Sequence, residues 1–394
     1  MRRFWRDLSL SAVVAGLVAV LVGYTSSVVI VFQAAQVLGA TPEQLTSWMW
    51  ALGIGMGLSS AGLSLYYRLP VLTAWSTPGA ALLVSAGAGV SMGEGIGAFM
   101  ICAVLIALAG LTGWFERVMN RIPQPLAAAL LAGVLARFAL DAFGALRTDT
   151  ALVGVMFLVY LAGRRWWPRY AVPAVLLAGL LVAAGQGSLH LDAVNWRWAQ
   201  PVWTTPEFSL RALFGVALPL FVVTMASQNL PGVAAQRAAG YDTPVSPVIT
   251  ATGLLSLVLA PFGGYSFNLA AITASICMGR EAHEDPARRY TAPVMAGLFY
   301  LLVGLAGGAV VGLLAAFPKA LVLAVAGFAL LGTIGGGLGA AMADLRWREP
   351  ALVTFLVTLS GLSLAGIGSA FWGVVAGVVC VLVMQPKMPN TGRS

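Results

Sequence analysis

A chain of 394 residues with 59% apolar and 9% charged side chains cannot cover a water-soluble surface, because a soluble globular domain carries roughly 25% charged residues. Its formal charge of +8 does not point to nucleic acid, since the basic residues sit in short segments between long apolar runs. Cys102, Cys277 and Cys380 lie inside those runs, at spacings that suit neither a metal site nor a disulfide framework. No metal or cofactor is expected.

A membrane-spanning helix takes about 20 apolar residues. The basic start, Met1 to Arg6, leads into a run too long for a signal-peptide core and without a cleavage site, so 11–37 reads as a retained first span. Further spans follow at 44–66, 70–89, 95–115, 122–143, 148–163 and 170–187. The fifth carries Arg137 and Asp141, four residues apart and read as an ion pair on one helix face. The segment from Ser188 to Leu210 places Trp196, Trp198 and Trp203 among polar residues, which suits an outer interfacial linker. Spans 8 to 14 fall at 211–236, 245–260, 263–279, 290–315, 319–342, 350–367 and 369–385. The third and tenth are short and interrupted. The runs Gly53-x-Gly55-x-Gly57 and Gly335-Gly336-Gly337 are read as close helix packing. The loop cluster His283-Glu284-Asp285 fixes no metal geometry.

The fold expected is an all-α polytopic membrane protein of about 14 transmembrane helices. With the N-terminus in the cytoplasm, all of the 22 Lys and Arg residues fall in cytoplasmic segments except Arg137, Arg147, Arg197, Arg211 and Lys319. That is the bias of the positive-inside rule, and it places both termini in the cytoplasm.

The chain also repeats itself. Ala34-Ala35-Gln36 precedes Gly39 and Pro42 at the end of span 1, and Ala234-Ala235-Gln236 precedes Gly240 and Pro244 at the end of span 8. Trp75-Ser76-Thr77-Pro78-Gly79-Ala80-Ala81-Leu82 in span 3 matches Tyr265-Ser266-Phe267-Asn268-Leu269-Ala270-Ala271-Ile272 in span 10. The division is 1–188 for the first repeat, 189–210 for the outer linker and 211–394 for the second. An odd number of spans per half inverts the second half, an arrangement that marks secondary transporters with a site between the repeats.

Spans 3 and 10 are therefore expected to be broken helices. Pro78 pushes Thr77 toward extended geometry, so Ser76 or Thr77 is expected to cap a half-helix starting near Pro78 or Gly79. Gly263-Gly264 loosens span 10, with Ser266 or Asn268 as the expected cap. Two such starts would aim N–H groups and positive dipole ends at one point suited to an anion. Tyr24, Ser26 and Ser27 of span 1 and Ser227, Gln228 and Asn229 of span 8 are the nearby polar groups. Consecutive Gln228 and Asn229 are costly in a membrane helix unless paired or wet. Tyr24, Trp75, Tyr265 and Phe267 are candidate surfaces for a flat ring.

These strings resemble the benzoate:proton symporter family over nearly the whole chain. The likeness rests on Gly23-Tyr24-Thr25-Ser26-Ser27, Thr73-Ala74-Trp75-Ser76-Thr77-Pro78-Gly79, Ser227-Gln228-Asn229-Leu230-Pro231-Gly232 and the stretch from Pro261 through Tyr265, Ser266, Phe267, Asn268 and Leu269 to Thr273. It implies kinship to the uracil and xanthine permeases and a 7+7 inverted-repeat fold. Spans 1–4 and 8–11 would form a core domain and spans 5–7 and 12–14 a gate domain. Substrate would sit between spans 3 and 10. Nucleobase permeases carry carboxylates on the helices equivalent to spans 8 and 10, where this chain has Gln228, Asn229 and Asn268. The change disfavours a nucleobase and suits an anion.

The leading expectation is a transporter in the bacterial inner membrane that imports benzoate or a similar aromatic carboxylate with a proton. A nucleobase or other anion carrier, or a channel, of the same fold is the alternative. An enzyme is not expected, because no cluster of catalytic groups stands out. The partners expected are the aromatic carboxylate, protons and the lipid bilayer, with room for a homodimer and none for nucleic acid.

Overall fold

The structure is a computed structural model that describes residues 2–87, 89–189, 198–307, 317–362, 364 and 369–384. Among these residues it contains fourteen principal helices. The first half comprises α1 (Leu10–Val37), α2 (Pro42–Tyr67), α3 (Thr77–Ala86), α4 (Met92–Leu111), α5 (Gln124–Gly144), α6 (Thr150–Trp166) and α7 (Ala171–Gly185). The second comprises α8 (Leu210–Ala238), α9 (Val245–Leu259), α10 (Ile272–Met278), α11 (Thr291–Ala306), α12 (Lys319–Met342), α13 (Arg348–Leu359) and α14 (Ser369–Met384). Among the described residues, six helical stretches are individually long and apolar enough to cross a membrane, and they contain α4, α5, α8, α9, α11 and α12. The chain is a helical membrane protein with the 7+7 inverted-repeat fold.

Helix packing carries the repeat. Helix α2 packs on α11 and α4 on α9, pairs that exchange when each helix is replaced by the one seven places along. The pairs α6–α7 and α13–α14 exchange in the same way, and α5 with α12 maps onto itself. Glycines permit the close pairs. A Cβ on Gly53 would meet the Gly304 backbone at 2.5 Å, and one on Gly253 would meet Ala107 N at 2.5 Å. The glycine run in α12 behaves differently from expectation. A Cβ on Gly337 would lie 3.3 Å from α5, whereas Gly335 and Gly336 face open space.

The ends of α1 and α8 share one backbone geometry. Gly39 and Gly240 take φ of 79° and 83°, the left-handed geometry that glycine adopts without strain. Ala40 N donates to Ala35 O at 3.0 Å and Tyr241 N to Gln236 O at 2.9 Å, the long bond of a Schellman cap. The repeated glycines are this helix ending, with Gln36 three residues and Gln236 four residues ahead of the glycine.

The third and tenth spans are broken as expected, and each break holds a short strand. Strand β1 (Thr73–Trp75) pairs antiparallel with β2 (Phe267–Leu269), in the register Thr73–Leu269, Ala74–Asn268 and Trp75–Phe267. Extended backbone at membrane depth survives only if its polar groups are paired within the protein. The serines of α2 and α9 supply that pairing. Thr73 N donates to Ser60 Oγ at 3.0 Å, and Phe267 N to Ser256 Oγ at 2.9 Å.

The helix-capping expectation holds on one side only. Ser76 caps α3, its Oγ accepting from Gly79 N at 3.0 Å. Helix α10 starts at Ile272 with Ala271 as N-cap and no side-chain cap. Ser266 and Asn268 stand too far ahead of that start to reach its N–H groups. The expected Arg137–Asp141 pair does not form either: both side chains are exposed, and Arg137 lies against the Gly361 turn instead. The linker, described from Trp198 onward, is strapped over the bundle by Val202 N to Ser47 Oγ at 2.9 Å and Thr204 N to Pro261 O at 2.8 Å. Trp198 and Trp203 are exposed on it; Trp196 lies outside the described residues.

Candidate functional site

The two helix starts open onto one cavity of about 280 Å3. On one side it is walled by Ala74 and Trp75 of β1 and by Thr77 and Pro78 at the head of α3. On the other it is walled by Ala270 and Ala271, then Ile272 and Thr273 of α10. Helix α1 contributes Val22, Gly23, Tyr24 and Ser27, α2 contributes Met56, and α11 contributes Tyr300. Phe138 of α5 closes the wall from the helix set that packs around α12. The cavity therefore lies at the seam between α5 and the helices of the two breaks.

Three aromatic rings of this wall hold one another. Tyr24 meets Trp75 edge to face, with centroids 4.7 Å apart and planes at 80°. Tyr300 tilts against Tyr24 at 5.9 Å. Trp75 Nε1 donates to Ser27 Oγ at 3.0 Å, and Ser27 Oγ donates to Gly23 O at 2.9 Å. This chain of bonds fixes the indole from the backbone of α1. The Tyr24 hydroxyl is buried and has no hydrogen-bond partner among the described residues.

Helix α8 enters through a π-helical turn, Met225–Asn229, a local widening that often marks functional positions. The turn sends neighbouring amides to different tasks. Gln228 lines the cavity. Asn229 is fully buried, and its Oδ1 accepts from Leu269 N at 3.0 Å, tying β2 to α8. Ser227 shares the turn but not the cavity wall. This arrangement resolves the cost of Gln-Asn in a membrane helix.

Of the expected site residues, Tyr24, Trp75, Thr77, Pro78 and Gln228 meet at the cavity. Ser76 stands directly behind it as the cap. Gly79 lets α3 approach α8, since a Cβ there would lie 2.6 Å from Leu220. The side chain of Ser26 lies outside the described residues. Tyr265, Ser266, Phe267, Asn268 and Leu269 do not line the cavity. Tyr265 packs between Trp48 and Phe99 and donates to Ser76 O at 3.4 Å. Phe267 fills the space left by Gly55. Ser266 takes φ of 43°, accepts from Thr224 Oγ1 at 3.1 Å and lies 3.4 Å from Cys102 Sγ. Asn268 Nδ2 donates to Ser266 O at 2.9 Å, while its Oδ1 is buried without a partner among the described residues. Leu269 packs on Gly232.

Sequence reasoning missed Met56, Phe138, Thr273 and Tyr300. Thr273 ends the last of the family strings, where nothing marks it as a wall residue. The other three come from distant helices and carry no local signal. None of the described residues lining the cavity is an Asp, Glu, Lys, Arg or His. Its polarity comes from hydroxyls, one amide and backbone at helix starts. Such a space can take a flat apolar body with one polar end.

A family model described as benzoate membrane transport protein matches residues 6–383. An inner membrane protein YdcO of Escherichia coli is 53% identical over 94% of this chain and 95% of its own length. A benzoate membrane transport protein of Acinetobacter baylyi is 41% identical over 97% of each chain. Among solved structures, that of SLC26A9 matches with a TM-score of 0.51 at 12% identity, covering 98% of this chain and 67% of the other. A solved structure found to share the fold is thus SLC26A9, where the resemblance implied the uracil and xanthine permeases.

Proposed function

The chain belongs to the benzoate membrane transport protein family, and on that premise we propose that it imports benzoate or a similar aromatic carboxylate together with a proton. The observation that carries this reading is the wall of the first cavity. Aromatic and aliphatic surface faces neutral donors at the head of α3, with no ionisable carboxylate, ammonium, guanidinium or imidazole among the described lining residues. A carboxylate in this space takes hydrogen bonds from Thr77 N and from the first-turn N–H groups of the uncapped α10, because Pro78 has no N–H and Gly79 N is held by Ser76. The positive end of α3 favours its charge. Trp75, Tyr24 and Tyr300 take the ring.

In this reading α1–α4 and α8–α11 move as a core against a gate of α5–α7 and α12–α14, and Phe138 is the gate's contact with the substrate. The protein resides in the bacterial inner membrane with both termini in the cytoplasm. Uptake of labelled benzoate into proteoliposomes tests the function, with protein-free liposomes as the control for passive leak. Uptake should rise with an inward proton gradient and fall when a protonophore collapses it. Protein-dependent uptake indifferent to the gradient would remove proton coupling from the proposal. Orientation has its own test. Cysteines at Arg165 and Glu284, both exposed, should label with an impermeant maleimide from the cytoplasmic side and one at Thr205 from outside.

A further inference from the structure

A second cavity, of about 330 Å3, lies on the same seam as the first. Helix α5 offers Phe138 to the first and Leu131 to the second, seven residues or about two helical turns apart. Helix α10 offers its opening residues to the first and Ser275 and Met278 to the second. The two spaces are successive stations between the same helices. Unlike the first, the second is charged: Arg164, Arg280 and Arg289 face one carboxylate, Glu281. Arg289 is committed to the fold, donating to His283 O at 2.7 Å and to Met278 O, at the end of α10, at 2.9 Å. Arg164, at the end of α6, donates from Nη1 to Glu281 Oε1 at 2.5 Å. Of the ion pairs among the described residues, this one joins the two helix groups. The others, Asp7–Arg288, Asp285–Arg288 and Asp344–Arg346, lie within a group. Gly332 of α12 leaves room for the pair, since a Cβ there would come 3.4 Å from Glu281 Oε1.

We propose that the second cavity is a further binding station for the transported carboxylate, in which Glu281 occupies Arg164 until the carboxylate of the substrate displaces it. A guanidinium presents a planar fork of donors that fits one carboxylate as well as another. Exchanging one for the other keeps the charge paired, so the passing anion never strands a partly buried Arg164. Arg280, exposed at the rim, adds attraction without a fixed grip. Ala235, Ala238, Gly336 and Gly337 leave a smooth wall for the ring. The Arg164 side chain is 38% exposed, so solvent and salt screen the contact and keep the station weak, as a point of transit requires. The inference rests on the reading of the protein as a carboxylate carrier.

Equilibrium binding of labelled benzoate to the purified full-length protein tests it. E281Q should show a second saturable component about fivefold tighter than the weak one of the wild type, the scale of a partly exposed ion pair removed as competitor. That component should weaken at high salt and vanish in R164Q/E281Q. E281D, one methylene shorter, should give a smaller gain in the same direction and serves if E281Q does not fold. In W75A/E281Q the central component should weaken while the second stays. An E281Q isotherm that superimposes on the wild type, or a second component that survives loss of Arg164, overturns the proposal. Absence of the central component alone would count against the reading of the first cavity and leave this one standing.

Discussion

Strands β1 and β2 are partners in one register, yet they serve the molecule differently. Trp75 and Ala74 of β1 line the first cavity, whereas Phe267, Asn268 and Leu269 of β2 are fully buried away from it. The helices that follow differ as well. Ser76 caps α3, and α10 starts without a side-chain cap. The inverted repeat thus preserves backbone geometry: paired strands, a serine from the neighbouring helix at each outer edge, and a helix start facing the seam. It does not preserve chemistry. The first repeat spends its break on the cavity wall. The second spends its strand on holding α8, α9 and the sheet together, and gives only the opening residues of α10 to the wall.

The largest expected effects come from breaking the packed side of this comparison. Asn268→Asp would place a charge in a fully buried position against the Ser266 carbonyl, and an uncompensated buried charge costs about 3–5 kcal/mol. Phe267→Ala would empty the space beneath Gly55, a loss of similar size for a large buried ring. Both variants should show a sharply lower melting temperature and less monodisperse protein in detergent. Benzoate affinity per folded molecule should change little in Phe267→Ala. If either variant keeps wild-type stability and loses only affinity, β2 faces the substrate after all and the asymmetry drawn here is wrong.

A smaller effect sharpens the contrast between the two serines. Ser76→Ala removes a cap from the helix start that faces the cavity, worth about 0.5–2 kcal/mol. If that helix end holds the carboxylate, the dissociation constant for benzoate should rise by roughly twofold to thirtyfold. Ser266→Ala removes an acceptor from the buried Thr224 hydroxyl, at a cost of about 1–3 kcal/mol in stability. It should lower the melting temperature and leave affinity nearly unchanged. Side-by-side titrations and melts of the two variants decide it, and equal losses of affinity would mean that both breaks contact the substrate.

Much of this was legible in the residues themselves. The span pattern, the breaks at Pro78 and Gly263-Gly264 and the repeated helix endings at Gly39 and Gly240 are local properties of the chain. Capping at Ser76 was legible too, because Pro78 fixes where α3 starts. The cap expected at Ser266 or Asn268 was not, because α10 begins only at Ile272 and pairing with β1 holds Phe267–Leu269 extended. The strand pair itself is a contact between distant segments, and short runs such as Thr73–Trp75 carry no period to betray it. The π turn in α8 leaves the amino-acid pattern unchanged while rotating Gln228 and Asn229 apart. Tyr300 and Phe138 reach the cavity from helices far along the chain, so only packing brings them into the site.

The smallest expected effect belongs to Trp75, and it tests the cavity side most directly. Trp75→Phe keeps an aromatic ring on the wall but deletes the Nε1 donor that reaches Ser27. It also trims the edge that Tyr24 packs against. Ser27 keeps its own bond to Gly23 O, so no buried group is stranded and the fold should hold. What changes is how firmly the ring is held. Aromatic pairs contribute about 0.5–1.5 kcal/mol beyond area burial, so the dissociation constant for benzoate should rise by roughly twofold to tenfold. A saturated ring of the same charge, cyclohexanecarboxylate, should lose less, because it never gained from stacking. Phe267→Leu is the matched control on the other strand. It should leave the ratio of the two ligands' affinities where the wild type has it. A shift in that ratio for Phe267→Leu and none for Trp75→Phe would move the ring from β1 to β2.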